Sequence, residues 1–568
     1  RRNYLAVFDF PMNKMEQLGS EDYPFVLQTN EGDGTLFYAS TDTGRRVQRQ
    51  WGINLQDIYA IQVKTGSKRL VKRNHEGQVY PSSTGKYVML YDSKAKHYFL
   101  WDGDKLKNIS AKITVPLYDE EHDSPSYPSP HGVMGWHEGD SSVYVYDKYD
   151  VWKLDLQGKL APVRMTEGRK HNVVYRYLRL DPEERYISNG QLVAFRIQNK
   201  INKTAGYSKG TVKKNGFAME VKGLSKNAFS PLVKAKNANR YLFTMERFEQ
   251  SPNLYLSSLD DASLNATALT NTNPQQSEYN WGTAELFKWK TFTGKESTGI
   301  LYKPEDFDPS RKYPLLIYFY EKLSDNLYSY SAPAPTPSRL NVPFFVSRGY
   351  LVFTPDISYT KGQPGKDAYN YIVSGAQALA KNKWVDAKNI GIQGQSWGGY
   401  QVLALIVQTP MFKAAWAGAP VANMTSAYGG IRWESGLNRQ FQYEKTQSRI
   451  GATLWERQDL YIKSSPLFQV PKIKTPLVIM HNDADGAVPW YQGIEMFTAM
   501  RRLNKPVWML NYNGEAHNLV ERKNRKDIQI RQQQYFDWLL KGEKPAKWIT
   551  EGVPAVKKGK DWGLEIVD

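Results

Sequence analysis

The run Gly394-Gln395-Ser396-Trp397-Gly398-Gly399-Tyr400 sets a serine between glycines, after an apolar strand-like stretch (Ile390-Gly391-Ile392-Gln393) and before an apolar helix-like one. A strained strand-to-helix turn of the G-x-S-x-G kind needs small residues at Gly394 and Gly398, where side chains would collide. Such a turn lifts the hydroxyl above a sheet. It also aims the Trp397 N–H and the helix N-terminus at the place where an acyl oxygen would become negative. Glycine-rich turns can instead cradle phosphates, but no Gly-Lys-Ser/Thr follows and no G-x-G-x-x-G fits the spacing. The motif alone leaves a nucleophile and a structural turn both open.

A serine hydroxyl needs a positioned base to take its proton, and the base needs a carboxylate to fix its tautomer. In α/β-hydrolase order the acid follows the serine and the histidine follows the acid. Of the eight histidines, His481 and His517 come after Ser396. His481 precedes the nearby acids and fails the order, which leaves His517 in the loop Asn513-Gly514-Glu515-Ala516-His517-Asn518. The loop after the preceding strand, His481-Asn482-Asp483-Ala484-Asp485-Gly486-Ala487-Val488-Pro489, offers Asp483 and Asp485, and the order alone supports either. Glu515 is close to His517 in sequence, which is no argument for contact.

These groups need a scaffold. From residue 285 the chain reads as a hairpin and then as apolar strands near 314–320, 350–355, 390–394, 412–418, 476–480 and 507–511. Helical stretches lie at about 367–381, 400–408, 492–503 and 525–541. Continuous apolar strands alternating with helices predict a parallel sheet covered on both faces, with function at the carboxyl ends of its strands. Ser396 follows such an end. Residues 1 to about 280 read differently, as short, aromatic-rich alternating strands between Gly, Asp, Asn and Ser turns. Three passages vary one unit: 82–103, 138–158 and 239–260. Five or six units of this kind, at the 40 to 50 residues of a propeller blade, predict a mostly antiparallel β-propeller. The predicted division is 1–282 for the propeller and 283–568 for the α/β-hydrolase domain.

With 568 residues the chain exceeds one ordinary hydrophobic core. Lys and Arg total 75 against 57 Asp and Glu, a net charge of +18. The basic residues are dispersed and no nucleic-acid-binding motif accompanies them, so a nucleic-acid partner is not expected. There is no cysteine, which excludes disulfides, thiolate metal sites and a cysteine nucleophile. No run reaches the ~18 uninterrupted apolar residues of a membrane span. The start, Arg1-Arg2-Asn3-Tyr4, runs straight into a strand-like segment and reads as a trimmed fragment whose propeller continues upstream, so no compartment is assigned. The expectation is a soluble protein, periplasmic, secreted or cytoplasmic.

The three motifs together, Gly394 to Tyr400, Asp483 to Pro489 and Gly514 to His517, resemble the prolyl oligopeptidase family of serine peptidases, which join a β-propeller to a C-terminal α/β-hydrolase domain. The match covers about 285–545 well and the propeller in architecture. The resemblance implies Asp485 as the acid, three residues before the Val that closes its loop, and Tyr320 as an oxyanion donor beside the Trp397 N–H. It implies a substrate pocket walled by Trp397, Val421, Met424 and Val488. The sequence departs from the family at Glu321-Lys322-Leu323, where Gly-Gly-Pro is common. Relative to dipeptidyl peptidase IV-like members it has Met424 in place of Trp, Ala427 in place of Tyr, and Gly486-Ala487 in place of Asp-Asn. A wider apolar pocket without strict post-proline cleavage follows. An aromatic clamp rebuilt from residues 428–443 is the competing reading. The acidic pair Glu120-Glu121 is the nearest equivalent of the family's anchor for a peptide amino terminus, without the surrounding motif.

Three functions compete: a serine peptidase of short peptides, exopeptidase or oligopeptidase, with broad apolar preference; an esterase with the same triad; and an inactive propeller protein that binds a partner. A propeller over the hydrolase face would exclude folded substrates. The intact Ser396, Asp485 and His517 speak against the third. No cofactor and no metal is implied, and a homodimer is left open.

Overall fold

The computed structural model describes residues 3–260 and 265–568. The chain divides into two compact units: one of residues 1–122, 126–245 and 253–270, the other of 123–125, 246–252 and 271–568.

In the first unit the alternating sequence pattern becomes antiparallel sheets. Among the described residues, five sheets of four or five strands follow one another along the chain, after a hairpin of Ala6–Asp9 with Lys14–Gln17. Side chains alternate between the two faces of a strand. Met89 and Tyr91 therefore join a cluster with Val143 and Leu154 of the following sheet, while Val88 and Leu90 join Tyr38 and Ile58 of the preceding one. The same split recurs at Val143 and Val145 against Tyr144 and Tyr146. The second, third and fourth sheets are thus buried on both faces by the sheets before and after them in sequence, which is how propeller blades pack. The three passages read as blade units hold the strand pairs Val88–Asp92 with His97–Trp101, Ser142–Tyr146 with Val151–Asp155, and Tyr241–Arg247 with Gln250–Ser257.

The second unit is organised on one eight-stranded sheet. Its strands are β1 (Gly282–Lys290), β2 (Glu296–Pro304), β3 (Tyr313–Tyr318), β4 (Leu351–Pro355), β5 (Val385–Gln395), β6 (Ala414–Gly418), β7 (Leu477–Met480) and β8 (Val507–Leu510). They lie in the order β1-β2-β4-β3-β5-β6-β7-β8. β1, β2 and β4 pair antiparallel and the remaining pairs are parallel. The longer helices are α1 (Pro364–Ala380), α2 (Trp397–Ile406), α3 (Tyr491–Arg502) and α4 (Arg522–Phe536). The helix expected to run to residue 541 passes at Asp537–Lys541 into a π-helical turn, where Asp537 accepts hydrogen bonds from Tyr350 Oη at 2.7 Å and Arg348 at 2.9 Å.

Both faces of this sheet are apolar because both are covered. Leu315, Ile317, Ala415, Ala417, Leu477 and Ile479 point to the side of α1, α2 and α3; Leu316, Ala414, Trp416, Val478 and Met480 point to the side of α4. This is the α/β-hydrolase architecture expected of the alternating strands and helices. Among the described residues no helix is long and apolar enough to cross a membrane. Trp416 is wholly buried against Tyr535 and Phe536 of α4, with ring centroids 5.9 and 6.4 Å away. Trp416→Ala is expected to cost about 3–5 kcal/mol, with a smaller loss for Trp416→Phe. Urea denaturation followed by far-ultraviolet circular dichroism checks this, and an unchanged midpoint would show that α4 is not held on the sheet through this contact.

Candidate active site

β5 delivers the serine. It ends at Gln395, α2 begins at Trp397, and Ser396 between them has φ 60° and ψ −115°. A non-glycine residue in such a conformation costs on the order of 1–3 kcal/mol and persists only where its surroundings enforce it. The enforcement is steric and hydrogen-bonded. Ser396 N–H donates to Gly418 O of β6 at 2.8 Å, and Tyr400 N–H donates to Ser396 O at 3.0 Å. A Cβ on Gly394 would meet Gly398 Cα at 2.8 Å, and one on Gly398 would meet Phe319 O at 2.6 Å. The close approach of three backbone segments therefore requires these glycines. Ser396 is partly exposed while its neighbours on both sides are buried.

β7 and β8 deliver Asp485 and His517 from the loops at their carboxyl ends. His517 Nδ1 lies 2.7 Å from Asp485 Oδ2. Asp485 is buried, and its Oδ1 accepts the Ala487 and Val488 backbone N–H groups, each at 2.8 Å. Burial pushes its carboxyl up, but hydrogen bonds from His481 and His517 outweigh that and hold it well below the ordinary carboxylate range. A carboxylate so held is placed to accept a proton from His517 Nδ1, the arrangement in which Nε2 of the neutral ring carries the free lone pair. Asp483 does something else. It accepts from Asn513 Nδ2 at 2.6 Å and Gly514 N at 2.7 Å, so it shapes the turn that carries His517. Glu515 accepts from Val520 N at 2.7 Å and Glu521 N at 2.9 Å, ahead of α4. Gln395 Nε2 donates to His517 O at 3.0 Å, which ties the histidine loop to the end of β5.

Ser396 and His517 line one cavity of about 560 Å³, together with Tyr318, Tyr320, Leu323, Arg339, Gln395, Arg432, Phe441, Gln442, Gln447 and Asn518. Tyr320 Oη accepts from Gln447 Nε2 at 3.0 Å, which leaves its own proton free to donate, and its backbone O accepts from Gln401 Nε2 at 2.7 Å. Trp397 supplies the first helical N–H, one of those with no acceptor inside the helix. Its indole is buried, stacked on Tyr400 at 4.7 Å and donating to Tyr359 Oη at 3.0 Å.

Residues 337–543 match the family described as the Prolyl oligopeptidase family. The chain carries a prolyl oligopeptidase family domain. It is 23% identical to the uncharacterized peptidase YuxL of Bacillus subtilis (strain 168) over 41% of this chain and 35% of that protein. It is 27% identical to dipeptidyl peptidase 8 of Homo sapiens over 41% of this chain and 26% of that protein. The chain thus spans about a third or less of the length of these relatives. In fold it is similar to dipeptidyl peptidase 4 of Porphyromonas gingivalis, with a TM-score of 0.65 at 15% identity, covering 94% of this chain and 80% of that one.

Ser396, His517 and Tyr320 meet at the cavity and Asp485 stands behind His517; Ser396, Asp485 and His517 fall within the matched residues 337–543 and Tyr320 precedes them. The expected pocket residues lie elsewhere: Trp397, Val421, Met424 and Val488 are all buried in the core on the α1, α2 and α3 side of the sheet, and none is among the residues lining the cavity. From the 428–443 segment one aromatic, Phe441, reaches the cavity, whereas Tyr428 and Tyr443 pack on each other and on Tyr461. In the first unit, Glu120 is paired with Arg169 at 3.1 Å and Glu121 with Lys148.

Sequence reasoning missed two groups. His481, set aside on order, is fully buried with Nε2 3.3 Å from the same Asp485 oxygen that His517 contacts. Gln447 was not singled out, because a lone glutamine in an irregular stretch carries no spacing signal. The elbow yields a test independent of activity. Gly398→Ala is expected to destabilise the protein by about 1–3 kcal/mol, since the opposing atom is backbone and cannot turn away. Thermal unfolding against the wild type measures it, and a neutral result would contradict the close approach of β3 to the elbow.

Proposed function

We propose that the protein is a serine peptidase acting on short peptides, in which Ser396 attacks the scissile carbonyl to form an acyl-enzyme that water then hydrolyses. His517 Nε2 takes the hydroxyl proton and returns it to the leaving amine. Asp485 holds the imidazole in that tautomer and offsets its charge once it is protonated. The Trp397 N–H and the Tyr320 hydroxyl stabilise the tetrahedral oxyanion. The observation that carries this reading is the 2.7 Å contact of His517 with the buried Asp485, with Ser396 and His517 lining one cavity. Peptides are proposed as substrates on the names of the relatives, which include dipeptidyl peptidases. Glu120 and Glu121 are not among the residues that line the cavity at Ser396, and no role in anchoring a peptide terminus is assigned to them.

Ser396→Ala and His517→Ala should each lower kcat by about 10⁴-fold or more, to similar residual values, because the two act as one unit. Asp485→Asn should lose activity on the same scale, about 10⁴-fold, whereas Asp483→Asn should lose much less. Steady-state kinetics on a chromogenic peptide, with a matched ester run alongside, reads these out. Equal losses for the two aspartate variants would reassign the acid, and turnover of the ester alone would favour an esterase.

For specificity we propose that the residues at the cavity, with Phe441 and Leu323 its apolar elements beside the tyrosines, give a broad preference. Shape discrimination in an apolar pocket supplies about 1–3 kcal/mol, roughly 10- to 200-fold. Substrates differing only in Pro, Ala, Phe or Leu before the cut should fall within that span in kcat/KM. A proline preference above a thousandfold would mean that a closer aromatic clamp forms around the substrate.

A further inference from the structure

The charge on the cavity wall is one-sided. Arg339 and Arg432 both line it, and neither aspartate nor glutamate does. Tyr318 adds no negative charge near neutral pH, because burial pushes it up to about 12 against a smaller opposing effect of Arg339. Asp485 is shielded behind His517, with no side-chain exposure. Arg339, from the segment between β3 and β4, is exposed and has no carboxylate partner within 4.0 Å among the described residues. Arg432, from the excursion between β6 and β7, has only Glu434 at 3.6 Å, with both side chains partly exposed. An exposed pair of that kind is weak and readily exchanged.

A guanidinium is a planar fork of donors matched to a carboxylate, and two of them on one concave wall raise the local concentration of anionic ligands. Exposed arginines elsewhere on a basic surface are solvated and carry no such meaning. The difference here is position, since these two share a wall with Ser396. A volume of about 560 Å³ is that of a small-ligand pocket. A peptide segment of a few residues held there keeps any carboxylate it bears near that wall.

We propose that Arg339 and Arg432 make the site selective for peptides carrying a carboxylate close to the scissile bond, either an acidic side chain or the free C-terminus. The proposal rests on the peptidase reading only for the ligand being a peptide. Its test therefore uses binding rather than turnover.

Full-length Ser396→Ala protein is titrated with three versions of one short apolar peptide: C-terminally amidated, free acid, and amidated with one Asp. The free acid, the Asp peptide or both should bind about 10-fold tighter than the neutral amide at low salt. Whichever is favoured identifies the source of the carboxylate, and the advantage should shrink as ionic strength rises. Adding Arg432→Gln or Arg339→Gln should cut the advantage, read as the ratio of each variant's own affinities for the charged and neutral peptides, several-fold, and Arg→Lys at either position should restore part of it. Equal binding of all three peptides, no binding of any, or an advantage that survives both glutamine substitutions overturns the proposal. A preserved carboxylate preference in a wild-type protein that hydrolyses no peptide would count for this inference and against the peptidase reading alone.

Discussion

The close packing of four backbone segments at the end of β5 is the constraint on which the site depends. Gly394, Gly398 and Gly399 let the strand, the first turn of α2 and the ends of β3 and β6 approach to distances that no Cβ would allow. Ser396 is left at φ 60° as the partly exposed residue of an otherwise buried turn. The strain is borne by the sheet, whose central strands are apolar on both faces and covered on both. The hydrophobic pattern of the strands and the posture of one hydroxyl are therefore parts of one physical argument.

The second element is electrostatic. A carboxylate buried as deeply as Asp485 would take up a proton unless donors compensated for lost water. It receives the Ala487 and Val488 amides on one oxygen and two imidazoles on the other. That arrangement keeps it charged and orients His517. The neighbouring Asp483 spends its oxygens on the turn that presents the histidine. Two aspartates two residues apart thus hold His517 in place, one by touching it and one by shaping its loop.

Much of this was legible in the sequence because periodicity and order report on it. The six apolar runs from residue 314 onward became β3 to β8, and the glycine-flanked serine fell at the end of β5. The blade-like repeats became sheets because alternation in aromatic strands is itself the packing instruction. The cavity wall was not legible. Arg432, Phe441, Gln442 and Gln447 come from the irregular stretch between β6 and β7, whose short helices show no amphipathic period to read. Trp397 was expected to face substrate, but its indole N–H finds an acceptor in Tyr359 Oη and its ring a stacking partner in Tyr400 inside the core. For a large aromatic next to a turn, that burial outweighs exposure. Spacing could not separate Asp483 from Asp485, because the choice is made by which side chain turns inward.

Covalent trapping tests the central claim most directly. The wild-type protein is treated with a fluorophosphonate, digested, and mapped by mass spectrometry, with His517→Ala treated in parallel. An oriented imidazole behind a strained serine predicts a single adduct on Ser396 that forms in a stoichiometric manner, and labelling of the histidine variant slowed by orders of magnitude. An adduct on another residue, or Ser396 labelled equally fast without His517, would contradict the account.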